Sequence, residues 1–219
     1  MAEHHLTLPT SQDRVRELRA GDTVYLDGEI TVTGGLPAHK RMMECLTTGT
    51  PLPLTMSNAF IHLPHMIEER ADGGYDVQYV NPTTSTRFDE FMPAFIRGFD
   101  LRVVGGKGGL GAEAVAAMRD VGCVYLSLLG GGSAILSAAI REVLQVEWRD
   151  FPSHFRLSRM RVADFGPLTV GIDAHGNSIY ERLAQGALER RSAILERLDE
   201  RRAAATPAPA THPIIGQNP

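Results

Sequence analysis

Two strand–glycine loop–helix units in immediate succession constrain this chain more than any other feature. Residues 101–104 (LRVV) read as a buried strand, residues 105–111 (GGKGGLG) as a loop, and AEAVAAMRDVG as a helix. The order then repeats, with CVYLSLL as strand, GGGS as loop and AILSAAIREVLQ as helix. Repetition of this unit is the signature of parallel βαβ architecture, so the chain is expected to be an α/β protein.

Other segments attach to that frame. Residues 14–33 predict an entry segment and a β-hairpin, because TVYL and EITVT flank Asp27-Gly28, a strong short-range hairpin signal. A helix is predicted from Pro37, with Ala38, Met42, Cys45 and Leu46 on one buried face and a stop at Thr47-Thr48-Gly49-Thr50-Pro51. YDVQYV alternates like a strand, and Phe88, Phe91, Met92, Phe95 and Ile96 carry helical spacing that Gly98 ends. RMRVADF and PLTVGIDA return to β structure, followed by a turn at His175-Gly176-Asn177. Residues 181–204 set Leu183, Leu188, Ile194, Leu195 and Leu198 among many charges, which predicts an amphipathic helix. The Pro/Ala-rich residues 205–219 predict a disordered tail.

Composition narrows the function classes. The formal charge of −4 gives no general electrostatic case for nucleic-acid binding. No apolar run approaches the roughly 20 residues that span a bilayer. MAEHHLTLPTSQDR lacks the basic start and apolar centre of a signal peptide. A cytoplasmic location is expected, with Cys45 and Cys123 as buried free thiols. Two cysteines cannot alone supply the ligands of a tetranuclear iron–sulfur cluster. His62 and His65 are three apart with a proline between them and no HExxH context, so no metal site is expected in this chain.

Three segments carry more polar chemistry than structure requires. Pro37 suits the first helical position, yet His39, Lys40 and Arg41 follow it at the helix end where the macrodipole disfavours cations. Residues 106–111 match G-x-G-x-x-G between a strand and a helix, but the next strand ends without the acidic residue that would hold a ribose. What remains is a glycine loop at a helix start, with Lys107 adding positive charge, an arrangement suited to carboxylate or phosphate. The run Thr83-Thr84-Ser85-Thr86 precedes Arg87. One hydroxyl suffices to cap a helix, with Thr86 and Asp89 as a candidate capping box, and the surplus suggests a carboxylate clamp.

Six stretches then line up, in order, with one family: GDTVYLDGEI, AHKRM, NPTTSTRFDEF, GGKGGLG, LLGGGSA and GIDAHGNSIYERL. Over residues 16–183 the chain resembles the β subunit, or C-terminal domain, of iron–sulfur class I fumarases and L(+)-tartrate dehydratases. The resemblance implies a swivelling β/β/α domain over residues 1–183, with residues 184–204 as a helical extension. It also implies a partner α subunit that carries a [4Fe-4S] cluster, whose free iron binds the hydroxy acid. This chain would supply cations and hydroxyls to a small carboxylic acid within a hetero- or homo-oligomer, with no nucleic acid or membrane involved. The activity implied is that of a hydro-lyase.

Carried over residue by residue, Lys40, Arg41, Arg87 and Lys107 would recognise charge. Thr83, Thr84 and Ser85 would hydrogen-bond substrate, together with the backbone at Gly108. His39 would handle a proton or orient a neighbour, and Thr33 would line the pocket. The chain departs from the family where T-A-R-D becomes Thr33-Gly34-Gly35-Leu36, and where G-P-T-T-S becomes Asn81-Pro82-Thr83-Thr84-Ser85. An altered substrate is therefore expected. The alternatives are a stand-alone enzyme of the same fold acting on a different acid, and a non-catalytic regulatory or stabilising subunit.

Overall fold

The computed structural model describes residues 1–205, so residues 206–219 of the expected tail lie outside the described residues. The chain divides into one unit over Met1–Tyr180 and a second from Glu181 onward. In chain order the strands are β1 (Glu3–Thr7), β2 (Thr23–Thr33), β3 (Ala59–His62), β4 (His65–Glu69), β5 (Tyr75–Val80), β6 (Val103–Gly106), β7 (Val124–Ser127), β8 (Ile140–Glu147) and β9 (Leu157–Ile172). The helices are α1 (Gln12–Glu17), α2 (Leu36–Thr48), α3 (Met92–Gly98), α4 (Ala112–Val121), α5 (Ser133–Ala138) and α6 (Ile179–Ala204). Short 3-10 turns occupy Ser85–Phe88 and Ser153–Phe155.

The architecture is mixed α/β, as the repeated strand–loop–helix units require. The main sheet runs β1-β2-β3-β6-β7-β9-β8, with β1 through β7 of that order mutually parallel. β9 is antiparallel to β7 and β8 and also pairs with β2 over Thr23 to Val32, which closes β2, β3, β6, β7 and β9 into a ring. AFIH and VVGG are buried at every position, the pattern of interior parallel strands covered on both faces. On one face Phe60, Val104 and Tyr125 pack with Met92, Phe95, Ala117 and Met118 of the helices. On the other, Ile30, Ile61, Val103 and Leu126 pack with Met160, Phe165 and Val170 of β9.

Two expectations are overturned by long-range pairing. The hairpin at Asp27-Gly28 does not form, because β2 runs straight through it with β1 on one side and β9 on the other. Gly28 instead takes φ +116° at a bulge, where an added Cβ would stand 2.6 Å from Leu8 O. The second of the repeated helices stops at Ala138, and the IREVLQ predicted to continue it belongs to strand β8. There Ile140, Val143 and Val146 turn toward the core against β9, and that pairing outweighs a modest helical propensity. RMRVADF and PLTVGIDA form one strand, and α6 begins at Ile179. Among the described residues no helix is long and apolar enough to cross a membrane.

The GIDAHGN stretch is a structural turn. The buried Asp173 carboxylate accepts from the N–H groups of Ala20, His175 and Asn177 and from the Asn177 side chain. Burial pushes its pKa up, but these donors outweigh it and hold the carboxyl below its ordinary range.

Candidate functional site

The site is built where β3 and β6 end. These strands pair over Ala59 to Ile61, and beyond that residues 83–85 insert between their tips. The Thr83 N–H donates to His62 O at 3.0 Å, the Lys107 N–H to Thr83 O at 3.0 Å, and the Ser85 N–H to Lys107 O at 2.8 Å. A hydroxyl-bearing segment thus becomes a short extra strand at the carboxyl ends of a parallel sheet, where α/β proteins place their ligands. Thr83, Thr84 and Lys107 are partly exposed there, Gly108 and Arg87 are exposed, and Ser85 is buried. The Ser85 Oγ lies 2.8 Å from His62 Nδ1 and 2.9 Å from the Tyr125 hydroxyl.

The glycine loop bends through φ +86° at Gly108 and +78° at Gly109 before α4 begins. At that helix start the anion is the chain's own, since the Gly111 N–H donates to Asp89 Oδ1 at 2.8 Å. Asp89 therefore serves the next helix as a tertiary cap. Lys107 and Arg87 form no ion pair among the described residues.

The crowd of basic groups at the start of α2 resolves into three different fates. His39 is fully buried, donates from Nδ1 to Gly35 O at 2.8 Å, and stacks on Phe88 at 3.9 Å. Burial pushes its pKa down to about 4, so it opposes no dipole at neutral pH. Arg41 grips Asp150 with both terminal nitrogens, at 3.0 and 2.7 Å, and lies over the Phe151 ring at 4.1 Å. Lys40 is exposed. Thr33 is buried and donates to Phe155 O at 3.1 Å, and a Cβ on Gly35 would meet the Phe155 ring at 2.5 Å.

A family model described as fumarase C-terminus matches residues 2–183. The chain belongs to that family. It is 32% identical over 184 residues to a Methanocaldococcus jannaschii protein provisionally named L(+)-tartrate dehydratase subunit beta, covering 83% of this chain and 93% of that one. It is 29% identical over 196 residues to the L(+)-tartrate dehydratase subunit beta of Escherichia coli K12, covering 89% and 95%. A Geobacillus stearothermophilus protein provisionally named class I fumarate hydratase is 31% identical over 191 residues, covering 87% of this chain but only 36% of that longer one.

Within this fumarase C-terminus fold the candidate residues separate. Thr83, Thr84, Lys107 and Gly108 come together at one edge, with Arg87 exposed on the 3-10 turn that follows. Thr33, His39 and Ser85 are buried, and Arg41 is engaged by Asp150. Sequence reasoning paired Asp89 with Thr86 as a capping box, whereas its carboxylate caps α4 at Gly111; it missed Tyr125 and Asp150 as partners, and it dismissed His62 as a metal ligand without finding its bond to Ser85. None of those pairings has a local spacing signal, since the partners are 22 to 109 residues apart. Cys45 is half-buried and Cys123 fully buried, with burial pushing the Cys123 thiol's pKa up. Two such thiols are too few to supply the ligands of a tetranuclear iron–sulfur cluster by themselves.

Buried neutral histidines give the fold an acid weakness. Burial lowers His39 and His65 to about 4 each, below the ordinary 6.5. The unfolded chain binds those protons first, so the stability they contribute is complete above pH 6.5 and is lost as pH falls toward 4. Urea midpoints should drop steeply across that window, and His65→Gln should flatten the drop while lowering the midpoint at pH 7. An equally steep drop in that variant would remove His65 from the acid response.

Proposed function

We propose that this chain is the β-type subunit of a hydro-lyase, adding or removing water across a carbon–carbon double bond of a small carboxylic acid. The observation that carries the reading is the extra strand at residues 83–85, which brings Thr83 and Thr84 beside Lys107, a cation with no ion pair among the described residues, at the sheet's carboxyl edge. The Lys107 ammonium neutralises a substrate carboxylate, and the threonine hydroxyls and Gly108 backbone orient it. Arg87 contributes a second cation from the adjoining turn. The names of the tartrate dehydratase and fumarate hydratase relatives support the same reaction class.

A [4Fe-4S] cluster belongs to a partner α subunit, where it supplies a Lewis acid for the substrate's hydroxyl. The substrate differs from fumarate and tartrate. Gly34 and Gly35 stand where a side chain would collide with Pro64 and Phe155, so the β2 tip offers an apolar wall and no cation. His39, neutral and buried, orients its neighbours.

The test is anaerobic co-expression with an α-type partner, iron analysis, and a screen of hydroxy and unsaturated acids. Turnover should require both chains. Arg87→Ala should raise KM about tenfold, in line with the loss of a charge-assisted hydrogen bond, and leave the melting temperature unchanged. Turnover by this chain alone in a chelator would replace the reading with a stand-alone enzyme. A stable complex inactive on every acid would replace it with a regulatory subunit.

A further inference from the structure

Two buried histidines, His39 and His62, adjoin the segment at residues 83–85, and the carboxylate reading gives His62 no part. His39 and His62 are both fully buried, with ring centroids 5.2 Å apart. Phe88, on the same 3-10 turn as Ser85, covers both rings, at 3.9 Å from His39 and 4.9 Å from His62. Each ring commits its Nδ1, His39 to Gly35 O and His62 to Ser85 Oγ. In each the Nε2 is buried without a partner. A buried polar atom left unpaired is costly, so two of them on neighbouring rings require a physical account.

Proton accounting supplies one. Gly35 O can only accept, so the hydrogen of neutral His39 sits on Nδ1 and its Nε2 is an acceptor. The complementary tautomer of His62 carries its hydrogen on Nε2 and accepts at Nδ1 from the Ser85 hydroxyl. Ser85 Oγ is then free to accept from the Tyr125 hydroxyl, 2.9 Å away. An N–H···N bond of about 2.9 Å between two imidazole edges sets ring centroids roughly 5 Å apart, which is the separation observed. The bond requires the two Nε2 atoms to face each other across that 5.2 Å.

We infer that His62 is the positioning residue of the substrate-binding strand: it links a directed hydrogen-bond chain from Tyr125 through Ser85 and His62 to His39 and Gly35 O. The chain fixes the height of residues 83–85 between the β3 and β6 tips and couples it to the start of α2. Within it Ser85, His62 and His39 each donate once and accept once, between the Tyr125 hydroxyl as first donor and Gly35 O as last acceptor. The functional half of this inference rests on the carboxylate-site reading; the hydrogen-bond chain does not.

The test therefore has two arms. Nitrogen-15 NMR of histidine-labelled protein should show the proton on Nδ1 of His39 and on Nε2 of His62, each exchanging slowly with solvent. A His62 proton on Nδ1, or rapid exchange at either ring, would overturn the chain whatever the protein's activity. In the reconstituted complex, His62→Leu and Ser85→Ala should each raise KM about tenfold, and the double variant should raise it no further. His62→Asn, which keeps an acceptor for Ser85, should recover most of the loss. Additive effects, or equal damage from Leu and Asn, would reduce His62 to a packing residue. A correct NMR pattern in a complex with no turnover would fail the carboxylate reading and leave the hydrogen-bond chain standing.

Discussion

Lys107→Met should lower kcat/KM of the assembled enzyme by about 10²- to 10³-fold while leaving the fold intact. The side chain is partly exposed, forms no ion pair among the described residues, and lies beside Gly130, where an added Cβ would stand 3.9 Å from its ammonium. No ion pair among the described residues depends on the charge. A substrate carboxylate enclosed at the sheet edge does, and truncating one member of a buried charge pair costs roughly 2–5 kcal/mol, largely by stranding the other. Lys107→Arg should rescue little, because a planar fork on a longer stem cannot place its charge where a compact ammonium stood. Steady-state kinetics beside a melting curve would check both. Near-normal kinetics in the methionine variant would take Lys107 out of the site and the carboxylate reading with it.

Gly106→Ala should damage folding and binding together. Its added Cβ would collide with Ser85 Oγ and stand 3.2 Å from both the His62 Cβ and Thr83 O. All three belong to the junction that holds the extra strand, so no single flexible side chain can move aside. Overpacking of this kind costs about 1–3 kcal/mol, or several degrees in melting temperature for a chain of this size. The Ser85 hydroxyl must also leave His62 or Tyr125, displacing Thr83 and Thr84 from the Lys107 edge. The expected result is a lowered melting temperature and a KM raised beyond measurement at soluble substrate levels. Unchanged values for both would mean that the strand tolerates displacement and that its height is not functionally set.

The sequence carried the parts of this molecule whose causes are local. Glycine loops between apolar strands and helices announced the parallel sheet, Pro37 and Gly49 bounded α2, and the threonine run with Lys107 marked one edge. What it concealed depended on distant partners. Asp27-Gly28 has the composition of a tight turn, and only β1 and β9 on its two flanks keep β2 straight. Ile140 to Glu147 becomes strand because β9 is there to receive it. The same holds for charge: Arg41 resembles a ligand-binding cation until Asp150, 109 residues away, is placed against it. Ser85 looked like one hydroxyl among four, and burial against His62 and Tyr125 sets it apart.

Closure of the ring by β9 also orders events during synthesis. β2 is complete at residue 33, yet its antiparallel partner does not begin until residue 157. At roughly 5–20 residues per second, ribosomes leave that edge without its mate for on the order of ten seconds. An unpaired strand edge is a template for association with other chains. Contacts that join the two ends of a sequence also slow the final folding step. Yield of soluble protein should therefore respond to growth temperature and chaperone supply more strongly than the finished fold's stability would suggest.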